Sequence, residues 1–165
     1  KHPVRCVEFL DRIAREAERS RGLRFCECLN SDIDKQHLAA GAVQLAESLN
    51  APGIVVITRR GVMANYVANC RPRRTAIHAF TNDDGTHRQL ALNYSTYAHR
   101  IHFHDDPEAT LLEAFACLRE HHQMEVGAKV VVVSDILAAD GVDGVQVRKI
   151  PPPKASSQKA TAGTV

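Results

Sequence analysis

The chain has 165 residues, 44% of them hydrophobic, with 21 Lys and Arg set against 19 Asp and Glu for a formal charge of +2. That length suits one domain of ordinary size with a real core and leaves little room for a second. The balanced, interspersed charges argue against a nucleic-acid binder, no transmembrane run or signal peptide is present, and small anions are the more credible ligands.

Pro3 opens a helix whose apolar stripe is Val4, Val7, Leu10, Ile13, Ala14 and Ala17, with Arg and Glu opposite, and Arg21-Gly22 ends it. Residues 23–31 read as a connector. Ser31-Asp32 then offers an N-cap for a second helix with apolar positions Leu38, Ala42, Leu45, Ala46 and Leu49, stopped by Asn50-Ala51-Pro52-Gly53. Gly53 to Thr58 is a β-branched run without polar alternation, as in a strand covered on both faces. Gly61 turns the chain into a helix of about three turns, ended by Arg71-Pro72 because a residue before proline avoids the α region. The next strand, Thr75 to Thr81, therefore runs parallel to the first.

Asp83-Asp84-Gly85 reads as a turn, followed by a short helix with Leu90 and Leu92 and a third strand over His99 to Phe103. Asp105-Asp106-Pro107 starts another helix with the stripe Leu111, Leu112, Phe115, Leu118 and Met124 and a stop at Gly127. Val130 to Val133 is a fourth strand, 140–144 a turn-rich loop and Val145 to Ile150 a fifth strand. Pro151-Pro152-Pro153 and the polar residues to Val165 read as a disordered tail. This alternation argues for a three-layer α/β/α sandwich. Cys6, Cys26, Cys28, Cys70 and Cys117 are odd in number and lack a C-x-x-C pair, which argues for reduced thiols and makes a cytoplasmic protein the expectation.

The run Gly53-Ile-Val-Val-Ile-Thr-Arg-Arg-Gly61, the helix ending in Arg71-Pro72-Arg73-Arg74 and the strand ending at Thr81 resemble the C-terminal domain of pyruvate kinase. That family shows an apolar strand, T-x-S-G-x-[ST]-A, a helix ending in R-x-R-P and a strand ending in T. Thr81-Asn82 with Arg88-Gln89-Leu90 resembles its T-x-N and R-Q-L, and Gly127 to Ser134 its G-D-x-V-V-V-x-S-G. Lys1 to Val4 and Ile13 to Glu18 resemble the segment after its G-E-T-A motif. The resemblance implies a five-stranded, mostly parallel sheet of order 3-2-1-4-5 with the last strand antiparallel. It also implies that residues 1–21 are the last helix of the catalytic barrel, 22–150 the C-terminal domain and 151–165 the tail.

Thr58, Arg59, Arg60 and Gly61 are the candidate effector site, because the matching family loop binds the phosphate of an activating sugar bisphosphate and the amides of Arg60 to Ala64 sit at a helix N-terminus. Arg60 and Met63 stand where the family carries hydroxyls, and Asp135, Asp140 and Asp143 occupy the opposing loop, so a bisphosphate is disfavoured while a single phosphate is still accommodated. The alternative is that Gly61 only permits a tight turn. Arg71, Arg73 and Arg74 read as a solvated helix end. His99, His102 and His104 with Asp105 and Asp106 read as a strand-end polar cluster, His121-His122 as lying elsewhere on a helix, and Cys26 and Cys28 as connector residues, so no metal ligands are assigned.

No nucleophile, carboxylate pair or nucleotide loop supports independent catalysis. By resemblance the chain is the regulatory and oligomerisation domain of a pyruvate kinase, whose parent enzyme uses Mg2+ and K+ in its barrel and transfers phosphate from phosphoenolpyruvate to ADP. No cofactor is expected within the segment, and its partners would be the catalytic barrel, further copies in a homo-oligomer and a small phosphate. The alternative is a stand-alone binding or assembly module of the same fold.

Overall fold

The computed structural model describes residues 2–19, 25–30, 32–134 and 144–153. Helix α1 spans Pro3–Arg19, a short 3-10 turn covers Phe25–Glu27, and α2 spans Asp34–Ser48. The chain then alternates: β1 Gly53–Ile57, α3 Val62–Asn69, β2 Ala76–Thr81, α4 Asp84–Leu90, β3 Thr96–Arg100, α5 Pro107–His122, β4 Lys129–Ser134 and β5 Gly144–Lys149. The strands form one sheet of order β3-β2-β1-β4-β5. Pairings are parallel except for the antiparallel β4–β5 pair. This is the expected α/β/α sandwich.

Strands covered on both faces carry apolar residues in succession, as β1 does along its length and β4 does over Val130–Val133. Alternate residues serve opposite cores. Ile54, Val56, Ile77, Ala79, Val131 and Val133 face α2 and α3, while Val55, Ile57, Phe80, Val130 and Val132 face α5. At roughly 1.5–3 kcal/mol per buried Val, Ile or Phe side chain, these central strands dominate the hydrophobic stabilisation.

Several boundaries differ from expectation, each for a local reason. The buried stripe of α2 is Ala39, Ala42, Val43 and Ala46, whereas Leu38 and Leu45 are only half-buried and Leu49 is exposed. Small side chains bring the helix backbone close to the sheet, leaving the leucines at its margin. The expected cap residue Ser31 lies outside the described residues, and Ile33 occupies the N-cap position. Helix α3 has only 8 residues, because Arg71 adopts φ 49° just beyond its C-cap Cys70.

Asp83-Asp84-Gly85 is a helix start rather than a separate turn: the Asp83 carboxylate accepts from the Thr86 N–H at 2.7 Å, as an N-cap residue does. Strand β3 begins three residues earlier than expected, at Thr96, directly after Ser95 with φ 51°. It also ends earlier, because the His102 N–H turns away from the sheet to the Glu113 carboxylate at 3.2 Å. Helix α5 is capped by Asp106 and stops at Gln123 with φ 51°, so Met124 packs from beyond its end.

Not all thiols are free. Cys26 and Cys70 are paired as a disulfide, their Cα atoms 5.3 Å apart, while Cys6, Cys28 and Cys117 are free. The 3-10 turn lies against the end of α3, an adjacency that a separation of 44 residues does not reveal.

Candidate functional site

The turn after β1 is built from its strand outward. Thr58 follows β1 fully buried, its N–H held by the Phe80 carbonyl at 2.9 Å, and its hydroxyl accepts from the Gly61 N–H at 3.1 Å. Gly61 is the N-cap of α3 with φ 77°, a left-handed conformation that glycine adopts without strain. The Arg59 carbonyl accepts from the hydroxyls of Thr81 at 3.4 Å and Thr86 at 3.2 Å, which ties the turn to the end of β2 and to α4.

These contacts reassign part of the expected site. The Gly61 amide serves Thr58, and Thr58 itself is enclosed, so neither points freely at an anion. Met63, where the family carries a hydroxyl, is fully buried in the core under α2 and α3. Arg59 and Arg60 are exposed at the head of α3. Asp135, Asp140 and Asp143 lie outside the described residues.

The arginines at the other end of α3 have structural roles. Glu47 on α2 accepts from the backbone N–H groups of Arg73 and Arg74 at 2.7 and 3.0 Å. The Arg71 guanidinium stacks over Tyr94 at 4.8 Å and donates to the Ala17 carbonyl of α1 at 3.2 Å. Helix α1 buries no residue: Val4, Val7, Leu10 and Ile13 are 68%, 66%, 63% and 50% exposed.

A second cluster lies over β2 and β3, at the end of α5. His78 lies on the α5 face of β2, between Ile77 and Ala79 of the other core. In register, His78 pairs with Tyr97 and Phe80 with His99, which puts both histidines on one face two residues apart along neighbouring strands. His122, the last residue of α5, completes the group: the rings of His78 and His122 are 4.4 Å apart, and His99 Nε2 and His122 Nε2 are 3.1 Å apart. Here the structure overturns the reading that separated His99 from His122. His102 and His104 instead leave β3, and His104 Nε2 lies 2.7 Å from the Glu113 carboxylate.

Burial, followed by the neighbouring His122 and His99, pushes the His78 pKa down to about 3; burial and then His122, His121 and His87 push His99 down to about 4. Burial, with His121 second, lowers His122 as well. All three rings are neutral at physiological pH, each with one nitrogen lone pair available. A cavity of about 410 Å³ opens beside them, lined by Pro52, Ala76, Tyr97 and Met124. Mg2+ and K+ take oxygen ligands, so this all-imidazole set does not fit the cations implied for a parent enzyme.

A profile of the family described as "Pyruvate kinase, alpha/beta domain" matches residues 36–146. Pyruvate kinase isozyme A, chloroplastic, from Nicotiana tabacum is 28% identical over 144 residues, 86% of this chain and 23% of that protein. The isozyme A of Ricinus communis is 31% identical over 121 residues, 73% of this chain and 20% of that protein. In fold, Cryptosporidium parvum pyruvate kinase in complex with ADP superposes with a TM-score of 0.65 at 22% identity, over 71% of this chain and 24% of that one. The chain thus spans about a quarter or less of the length of these relatives. No helix among the described residues is long and apolar enough to cross a membrane. With a family profile covering most of the sheet and its helices, the chain belongs to the pyruvate kinase alpha/beta domain family.

Proposed function

We propose that this chain is the regulatory and subunit-contact domain of a pyruvate kinase whose catalytic barrel transfers phosphate from phosphoenolpyruvate to ADP, and that it has no phosphotransfer activity alone. The observation that carries this reading is the family profile over residues 36–146, on a fold that places the family's glycine turn between β1 and α3. On this reading residues 1–21 are the barrel's last helix, 22–150 the C-terminal domain and 151–165 an appended tail. The solvent-facing stripe of Val4, Val7, Leu10 and Ile13 supports a missing packing partner for α1. Mg2+ and K+ belong to the barrel, and the assembled enzyme is a homo-oligomer. The three free thiols favour a reducing cytoplasm as the proposed compartment, although the Cys26–Cys70 disulfide argues the other way; the chloroplastic names of the relatives favour a plastid as a second reading. The in-frame coding sequence upstream of Lys1 tests the proposal: barrel motifs ending in G-E-T-A support it, and a nearby start codon with no barrel contradicts it in favour of a stand-alone module.

At the turn, Arg59 and Arg60 hold a single phosphate or sulfate weakly, and fructose bisphosphates bind poorly or not at all. The engaged Gly61 amide and the buried Met63 support this, since both remove donors that a bisphosphate would use. Calorimetric titration decides: sub-micromolar fructose bisphosphate affinity that disappears in Arg60→Ala contradicts the reading.

A further inference from the structure

We propose that His78, His99 and His122 form a binding site for one divalent transition metal of the zinc class, with a fourth coordination position open toward the cavity beneath α5. One ring nitrogen from each histidine lies within 4.8 Å of the others. Three nitrogens about 2.0–2.1 Å from a tetrahedral ion sit about 3.4 Å apart, so the 3.1 Å between His99 Nε2 and His122 Nε2 is already close to a ligated spacing. All three ligand atoms lie within 4.8 Å of one another, so gathering them round one tetrahedral ion needs a contraction of at most about 1.4 Å.

The set has the composition of an open metal site. Imidazole nitrogen suits zinc, copper, nickel and cobalt, whereas an oxygen-seeking cation would need carboxylates or carbonyls. Three protein ligands leave a fourth place for water or an external ligand. Without an ion, an N–H···N hydrogen bond accounts for His99 and His122 only. His78, 2% exposed, keeps a buried Nδ1 with no hydrogen-bond partner, an arrangement that buried polar groups seldom show.

The surroundings hold the rings in place. Cys117 Sγ lies 3.5 Å from His99 Nδ1, on the far side of that ring from His122, as a group that orients a ligating imidazole from behind. Tyr97 stacks on His78 at 5.4 Å and meets His122 edge-on at 5.0 Å. Gly53 makes the space: a Cβ there would fall 2.9 Å from His78 Cδ2 and 2.8 Å from Met124 Cε.

The test is titration of the untagged, chelator-stripped chain with Co2+ and then Zn2+. We expect visible ligand-field bands of four-coordinate cobalt saturating at one ion per chain, displaced by zinc. His122→Ala, at a half-exposed helix end, should keep the fold, as far-UV circular dichroism can verify, and should weaken affinity by more than about 100-fold. Cys117→Ser should weaken it about tenfold. A His102→Ala/His104→Ala double variant should bind as the parent does. The proposal is overturned if no such bands form, if binding survives His122→Ala, or if it disappears in the double variant.

Discussion

Replacing Gly61 with alanine perturbs the turn at its one position of fixed hand. The residue sits at φ 77°, where a side chain costs about 1–2 kcal/mol. Its Cβ would lie 3.3 Å from Leu90 Cδ2 and 3.3 Å from Thr86 Cγ2, both on buried residues of α4, so the packed neighbours must give way slightly. Lower entropy of the unfolded chain offsets about 0.4–1 kcal/mol of this. These two figures leave about 0–1.6 kcal/mol, to which the packing strain adds, so for a chain of this size the thermal midpoint falls by up to about 6 °C. Thermal unfolding by circular dichroism, with far-UV spectra of both proteins at 25 °C as the reference for intact fold, reads the effect. An unchanged or raised midpoint in Gly61→Ala would refute the claim that the left-handed turn is required here.

Thr58→Val removes the buried hydroxyl that accepts from the Gly61 N–H and should destabilise by about 1–3 kcal/mol in urea, through the amide left unsatisfied; a loss under about 0.5 kcal/mol would show that the amide finds another partner. The Asp83 pKa is lowered, chiefly by the Thr86 backbone N–H, so its folded value lies below the unfolded one near 3.8. Its contribution is therefore present above that pH and is lost as pH falls below it. Asp83→Asn, which keeps a neutral cap, should flatten that part of the acid unfolding profile, and an identical profile would contradict the assignment. In a dilute monomer, amides of α1 should exchange far faster than those of β1 and β4, because its apolar face is uncovered; equal protection would overturn that expectation.

What was legible in the sequence followed from burial on both faces. Gly53 to Ile57 and Val130 to Val133 announce central strands because every residue is apolar, and the intervening helices fix the parallel direction. The turn was legible through Gly61, but not the engagement of its amide, since only coordinates show Thr58 Oγ1 beneath it. The histidine cluster was hidden for a different reason. His78 reads as an interruption in an apolar strand, and its meeting with His99 depends on the β2–β3 register, which the placement of β3 at His99 to Phe103 obscured. His122 joins them through the length of α5, a tertiary fact with no local signal. The same holds for Cys26 and Cys70 and for the alanine stripe of α2, where distance to the sheet rather than side-chain size decides what is buried.

The central claim is that phosphotransfer belongs to a longer protein of which this chain is the C-terminal domain. The most direct measurement is a coupled assay of pyruvate formation from phosphoenolpyruvate and ADP, run side by side on the full-length gene product and on the 165-residue chain. Turnover in the full-length protein and none above background in the chain is the predicted result. Turnover in the 165-residue chain, or an inert gene product with no barrel ahead of α1, would contradict it.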